Sequence, residues 1–208
     1  MTVSSPAVRP AAEFLHYPAG SLVILTGLPG AGKTTLLRRL YSLDGTEDGP
    51  VTAGEATVID SMQSRLRWAG PLGWAPKPVR TAVVFATHLW RIRSAVRSGR
   101  SVVAHNRGCG PVVLHAFAWM ARRSGVGFHL LLLDVAAEAA LAGQHARGRV
   151  VPERTFARHR RRCRRLLTRA RAGHAAPATG AHVLDRASAN VLTGIRFDRP
   201  VAGGPVEG

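Results

Sequence analysis

The 208-residue chain is predicted to be a single three-layer α/β domain, a five-stranded parallel sheet with helices on both faces. Three observations predict it. Short apolar runs alternate with helix-length segments from residue 21 to residue 197. The run "FHLLLLD" (128–134) is too apolar to be anything but a central strand covered on both sides. Gly27-Leu28-Pro29-Gly30-Ala31-Gly32-Lys33-Thr34 joins one apolar run to a leucine-rich helix, as a strand–loop–helix unit requires.

The elements follow in order. Residues 1–20, with Pro6, Pro10 and Pro18, read as an irregular lead-in. "SLVILT" (21–26) is the first strand, and residues 33–41 form the helix after the glycine-rich loop. "DGTEDGP" (44–50) is a loop, "ATVID" (56–60) the second strand, and 63–68 a short helix. "AGPLGWAPKP" (69–78) interrupts the pattern, and 81–98 is a helix ended by Gly99. "SVVAH" (101–105) is the third strand, followed by a helix over 112–124 closed by Gly125. After the fourth strand (128–134) come a helix over 136–144, an arginine-rich lid at about 144–153 and a long helix over 152–172. Pro152 and Glu153 are good start signals for that helix. Phe156, Cys163, Leu167 and Ala170 share one of its faces and are expected in the core. "AHVLD" (181–185) is the fifth strand, and a loose Pro/Gly-rich tail occupies 198–208.

Composition narrows the function. No apolar run approaches the roughly 20 residues that cross a bilayer, and no basic start precedes a long apolar stretch. The expectation is a cytoplasmic protein without membrane contact. Cys109 and Cys163 make no disulfide framework and read as buried thiols. The net charge is +17, and of 29 basic residues only Lys33 and Lys77 are lysine. That bias, with so much Ala and Gly, looks like GC-rich coding. The charge is nevertheless uneven. Residues 147–171 hold eleven arginines and one acid, Glu153. Such a segment can bind polyphosphate, nucleic acid or an acidic partner, or be a solvated helix face. Arg158, Arg161, Arg162, Arg165 and Arg169 lie off the apolar stripe and are assigned to that face.

The glycine-rich segment carries chemistry. It fits G-x-x-x-x-G-K-[ST] at every fixed position. Its glycines let consecutive N–H groups curl toward a phosphate, and the next helix adds its positive end. Gly27 to Thr34 in the loop, with Thr35 after them, are the candidate nucleotide contacts. Lys33 is expected to reach the β and γ phosphates, and Thr34 to place its hydroxyl on Mg²⁺. Thr35 and Leu36, Leu37 and Leu40 are equally explained by packing and helix propensity. Guanine-reading switches need an [NT]-K-x-D stretch, and Lys77 in "APKPVR" has no Asp two positions on. Motor ATPases carry an acidic pair after a strand, and the adjacent acids Glu47 and Asp48 lie in a loop. ATP bound by a small kinase, or by a degenerate relative of one, remains.

On these residues the chain resembles the small P-loop kinases grouped as AAA-family ATP-binding proteins, related to zeta-toxin and polynucleotide-kinase-type enzymes. The resemblance rests on "GLPGAGKTT", "VIDSMQSR", the third strand with its following turn, and "LLLDVAAEAALAGQHARGRVVPERTFARH", and covers roughly residues 21–195. It implies a phosphotransferase acting on an unidentified acceptor. Kinases of this type place an Asp after the second strand as base or metal-shell ligand. Here that is Asp60, which is also well placed to cap the next helix. Asp134 reads as a helix cap, and Asp185 as structural. Related kinases often carry an acid after the third strand, where this chain has His105 and Asn106. Those two are candidates for substrate or a metal-bound water, or His105 is a buried, hydrogen-bonded histidine. The resemblance further implies lid arginines over ATP, for which Arg147 and Arg149 are the candidates, with Gln144 where relatives often have Arg. Arg65 or Arg67 is a candidate for holding an anionic acceptor. Trp68, Trp74 and Trp90 either wall the acceptor pocket or belong to the core. The expectation is thus a kinase using Lys33, Asp60, Arg147 and Arg149, with Mg²⁺ at Thr34 and Asp60, the latter directly or through water. A nucleotide-binding regulator and a nucleic-acid-associated ATPase are the alternatives.

Overall fold

The computed structural model describes residues 13–106, 110–148 and 150–198. Arg149 and Cys109 lie outside them. In chain order the elements are β1 (Glu13–Pro18), β2 (Leu22–Gly27), α1 (Lys33–Tyr41), β3 (Val51–Ala53), β4 (Ala56–Ile59), α2 (Ser61–Arg67), α3 (Lys77–Arg97) and β5 (Ser101–His105). They continue with α4 (Pro111–Arg123), β6 (Phe128–Leu133), α5 (Ala137–His145), α6 (Glu153–Arg171), β7 (Gly180–Leu184), α7 (Arg186–Val191) and β8 (Leu192–Asp198).

The main sheet runs β3-β4-β5-β2-β6-β7. Every pair is parallel except β3 with β4. The three middle strands are buried almost end to end, which is why they read as continuous apolar runs rather than alternating ones. The chain enters at β2, moves out to β4, returns to β5, then crosses to β6 on the far side. The loop after β2 therefore opens where the winding reverses, the place at which open α/β sheets gather ligands.

Two expectations about strands are corrected. The sheet has six strands, because residues 51–53 form a short antiparallel edge paired with β4. Three residues are too few for a periodic signal, and the turn rests on Gly54 at φ +57°. The lead-in is not irregular throughout, since β1 pairs in parallel with β8 as a separate two-stranded sheet. Leu15 and Tyr17 are buried there and His16 faces outward. This pairing joins chain segments some 180 residues apart (His16 meets Asp198 at 2.8 Å), so local sequence could not announce it.

Helix α3 starts at Lys77, four residues earlier than expected, because Pro78 is tolerated in a first helical turn. On α6, Phe156, Cys163 and Leu167 are buried as the stripe required, and Leu166 joins them. Trp74 and Trp90 are neither core nor pocket wall, being 83% and 66% exposed. Trp68 instead ties α2 to α3, its Nε1 donating to Thr87 Oγ1 at 2.8 Å. Asp134 does not cap α5. It pairs with Arg171, while Ala136 stands at the helix start without a side-chain cap. Among the described residues no helix is long and apolar enough to cross a membrane.

Candidate nucleotide and acceptor site

The loop after β2 is shaped by backbone. Gly32 sits at φ +90°, a conformation that side chains rarely adopt, and it delivers the chain into α1. Gly30 is also left-handed, and a Cβ there would stand 2.0 Å from the carbonyl oxygen of Ala140. Helix α5 thus packs directly on the loop. Lys33 is 5% exposed, and its Nζ donates to Gly27 O at 3.0 Å and Leu28 O at 2.6 Å. The ammonium therefore spans the mouth of the curl that the loop amides line.

The order β4-β5-β2 sets three side chains in a row at the strand ends. Asp60 follows β4, His105 ends β5, and Thr34 follows the loop after β2. His105 Nδ1 lies 3.2 Å from Asp60 Oδ1 and 3.4 Å from Thr34 Oγ1. Asp60 and His105 are both buried. Asp60 has a second job at the start of α2. Its carboxylate accepts from Met62 N at 2.8 Å, and Gln63 Oε1 accepts from Asp60 N at 3.0 Å, a reciprocal cap. Both sequence readings of Asp60, site carboxylate and cap, are therefore compatible in one residue. Burial alone would push its carboxyl up. Hydrogen bonds and charge from His105, the Met62 amide and the Thr34 hydroxyl outweigh that and hold it well below the usual carboxylate range.

On the other side of the loop, α5 and the segment beyond it are stitched down by two side chains. Gln144 is buried, donates from Nε2 to Pro29 O at 3.0 Å and accepts from Val151 N at 2.8 Å. Arg147 donates from Nε to Gly143 O at 2.8 Å and from Nη2 to Gly30 O at 3.0 Å. Gln144 braces the phosphate loop against the segment after α5, a role with no signature in sequence beyond its place at the end of α5.

Sequence reasoning passed over part of α6. His159 is half-buried, and its imidazole is pushed down first by burial, then by the positive charges of Arg158, Arg162 and Lys33. Its position three residues after Phe156 on the buried stripe was the available signal. Asp185 caps α7 through Ser188 N at 2.7 Å and takes no part in the site.

Beside Asp60 a groove of about 550 Å³ runs between α2 and α3. Arg65 and Asn106, two of the substrate candidates, line it together with Lys77, Arg80, Val84 and Phe85. His105, the third, stands behind them with Asp60 and Thr34. Arg67 points elsewhere, 3.6 Å from Asp48.

Comparison with known proteins agrees with this architecture. Among solved structures, a chain from the PezAT chromosomal toxin–antitoxin system of Streptococcus pneumoniae superposes with a TM-score of 0.56 at 15% identity, over 84% of this chain and 76% of that one. A chain of the Pnkp1/Rnl/Hen1 RNA repair complex gives a TM-score of 0.53 at 15% identity, over 74% of this chain and 47% of that one. At such identity the likeness is one of fold. The aliphatic sulfonates import ATP-binding protein SsuB 3 of Pseudomonas savastanoi pv. phaseolicola is 45% identical over 49 residues, 24% of this chain and 18% of that protein. A second such protein, from Pseudomonas fluorescens, is 47% identical over 47 residues. The chain thus spans less than a fifth of the length of these curated relatives. The family model of an AAA domain matches residues 22–166, well over half of the chain. With its phosphate loop and winding order, the chain has a P-loop α/β fold and belongs to the AAA domain family.

Proposed function

We propose that the chain is an ATP-dependent phosphotransferase that moves the γ-phosphate to an acceptor hydroxyl in the groove beside Asp60. The observation that carries this reading is the row Thr34–His105–Asp60, which starts at the phosphate loop and ends beside Ser61 and Asn106 in the groove lining. Thr34 Oγ1 and the Asp60 carboxylate are hard oxygen donors, and Mg²⁺ favours one or two such groups together with phosphate oxygens and water. The pair fits that ion. When bound, Mg²⁺ supplies charge neutralisation at the phosphate oxygens.

The chain's own residues do the rest. Loop amides from Gly27 onward and Lys33 hold the β and γ phosphates, and Arg147 and Arg149 add positive charge from the lid. Asp60, ionised well into acid solution, is a weak proton acceptor. Its contribution is a fixed negative charge that orients the acceptor hydroxyl or an ion-bound water. Phosphoryl transfer with a loose transition state asks for positioning and charge more than for a strong base.

Asp60→Asn tests this, because Asn still caps a helix while the charge is gone. Mg²⁺·ATP affinity should fall by about tenfold at most, and ADP formation over a panel of hydroxylated acceptors should fall by about 100-fold or more. Unchanged turnover would remove Asp60 from the proposal.

A second reading is favoured by His105, which holds a position where an acid is expected and touches both Thr34 and Asp60. It is a regulator that binds ATP without transfer. Tight ATP binding with no labelled product over the same panel supports it. The arginines on the outer side of α6 also suit a polyanion, and a gel-retardation series in salt tests whether nucleic acid is the partner.

A further inference from the structure

We infer that the acceptor is a small molecule with three parts: a hydroxyl, an apolar body and an anionic group. The inference rests on the phosphotransferase reading for the role of the hydroxyl, and on the groove alone for the other two parts. The groove is graded from floor to rim. Its floor, at Ser61, His88 and Asn106, is buried and adjoins Asp60 and His105 in the chain. One wall is Val84 and Phe85, and Phe85 is 42% exposed, so part of its ring faces the groove rather than the core. The rim carries Arg65, Lys77 and Arg80.

Three features favour an anionic ligand over a merely basic surface. The lining contains three cations and no carboxylate. One face of α3 supplies Lys77, Arg80, Val84 and His88 at helical spacing, so the cations and the apolar wall form one continuous strip. In a chain whose 29 basic residues include two lysines, one lysine is in the phosphate loop and the other, Lys77, is on this rim. A compact ammonium there, set among guanidinium groups, is a point charge for a carboxylate or phosphate. The volume of about 550 Å³ lies within the range of small-molecule sites and is too small for a duplex end.

The position of each part follows. With the hydroxyl at the floor beside Asp60, the apolar body lies along Val84 and Phe85 and the anion reaches the rim. Carboxylate and phosphate share the chemistry the rim recognises, and both enter the test.

Binding is measured by calorimetry on the full chain with Mg²⁺ and a non-hydrolysable ATP analogue present. The probes are phenylacetate and phenyl phosphate, against phenylacetamide, phenethylamine and a short 5′-hydroxyl oligonucleotide. The anions should bind saturably at millimolar concentration or below, about tenfold tighter than the amide, with the amine weakest. The tighter of the two anions identifies the group. In Lys77→Ala/Arg80→Ala the anion affinity should fall about tenfold with the analogue's affinity unchanged. Lys77→Glu, which places an acid in a first helical turn and so keeps the fold, should abolish it. Equal binding of amide or amine, tighter binding of the oligonucleotide, no saturable binding of either anion, or indifference to the substitutions would each overturn the inference. Binding is read without turnover, so the two proposals fail separately. Anion-selective binding with no phosphorylated product from hydroxylated acids counts against transfer alone. Product from neutral acceptors only counts against the anionic acceptor alone.

Discussion

The two halves of the site are built from different materials. The phosphate-loop half is shaped chiefly by backbone: glycines at positive φ, the first turn of α1, and α5 pressed against Gly30 with no room for a side chain there. The groove half is side chain: Arg65, Lys77, Arg80, Val84 and Phe85 on two helices, much of it exposed. Backbone sites tolerate few residue types at fixed spacing, whereas a side-chain groove can be retuned residue by residue.

Substitutions should expose that difference, beginning with the most damaging. Gly30→Ala places a Cβ 2.0 Å from a carbonyl oxygen in a left-handed conformation. It should cost about 3 kcal/mol or more in unfolding free energy and remove ATP binding, read by denaturant melts and calorimetry. Asp60→Asn should cost less, about 1–3 kcal/mol, since the cap survives but the hydrogen-bonded charge does not. The sign of its pH dependence follows from its depressed carboxyl. Its contribution is complete above the ordinary carboxylate range and is lost only as pH falls through the lowered folded value. At neutral pH the variant should therefore be less stable than the parent, and the gap should close in strongly acid solution. Gln144→Ala leaves Pro29 O and Val151 N without their buried partner. It should cost about 1–2 kcal/mol and loosen the segment after α5, with faster amide exchange at Val151. Trp90→Ser, at a 66% exposed position on the outer face of α3, should change stability by no more than about 0.5 kcal/mol.

The same division explains what sequence could reveal. The loop was legible because Gly27, Gly30, Gly32, Lys33 and Thr34 each answer a separate physical demand. The central strands were legible because burial on both faces leaves unbroken apolar runs. Asp60 was legible as a strand-end acid, and its link to Thr34 through His105 follows from the strand order β4-β5-β2, which pattern alone does not give. The pairing of β1 with β8 was hidden by its sequence separation, and β3 by its length. The groove was hidden because its two walls are loop-separated helices, and the tryptophans that suggested a pocket lie on the surface. Gln144 carries no motif; only the packing of α5 on the loop gives it a role.

If the phosphate loop and the groove meet through an ion held by Thr34 and Asp60, those two side chains should be energetically coupled. A double-mutant cycle of Thr34→Val and Asp60→Asn, read as ATP affinity with Mg²⁺ and again with the ion chelated, tests it most directly. With Mg²⁺ the two effects should fall short of additivity by about 1 kcal/mol or more, and the coupling should vanish in chelator. Additive effects in Mg²⁺, or the same coupling without it, would contradict a shared ion between the loop and the strand-end carboxylate.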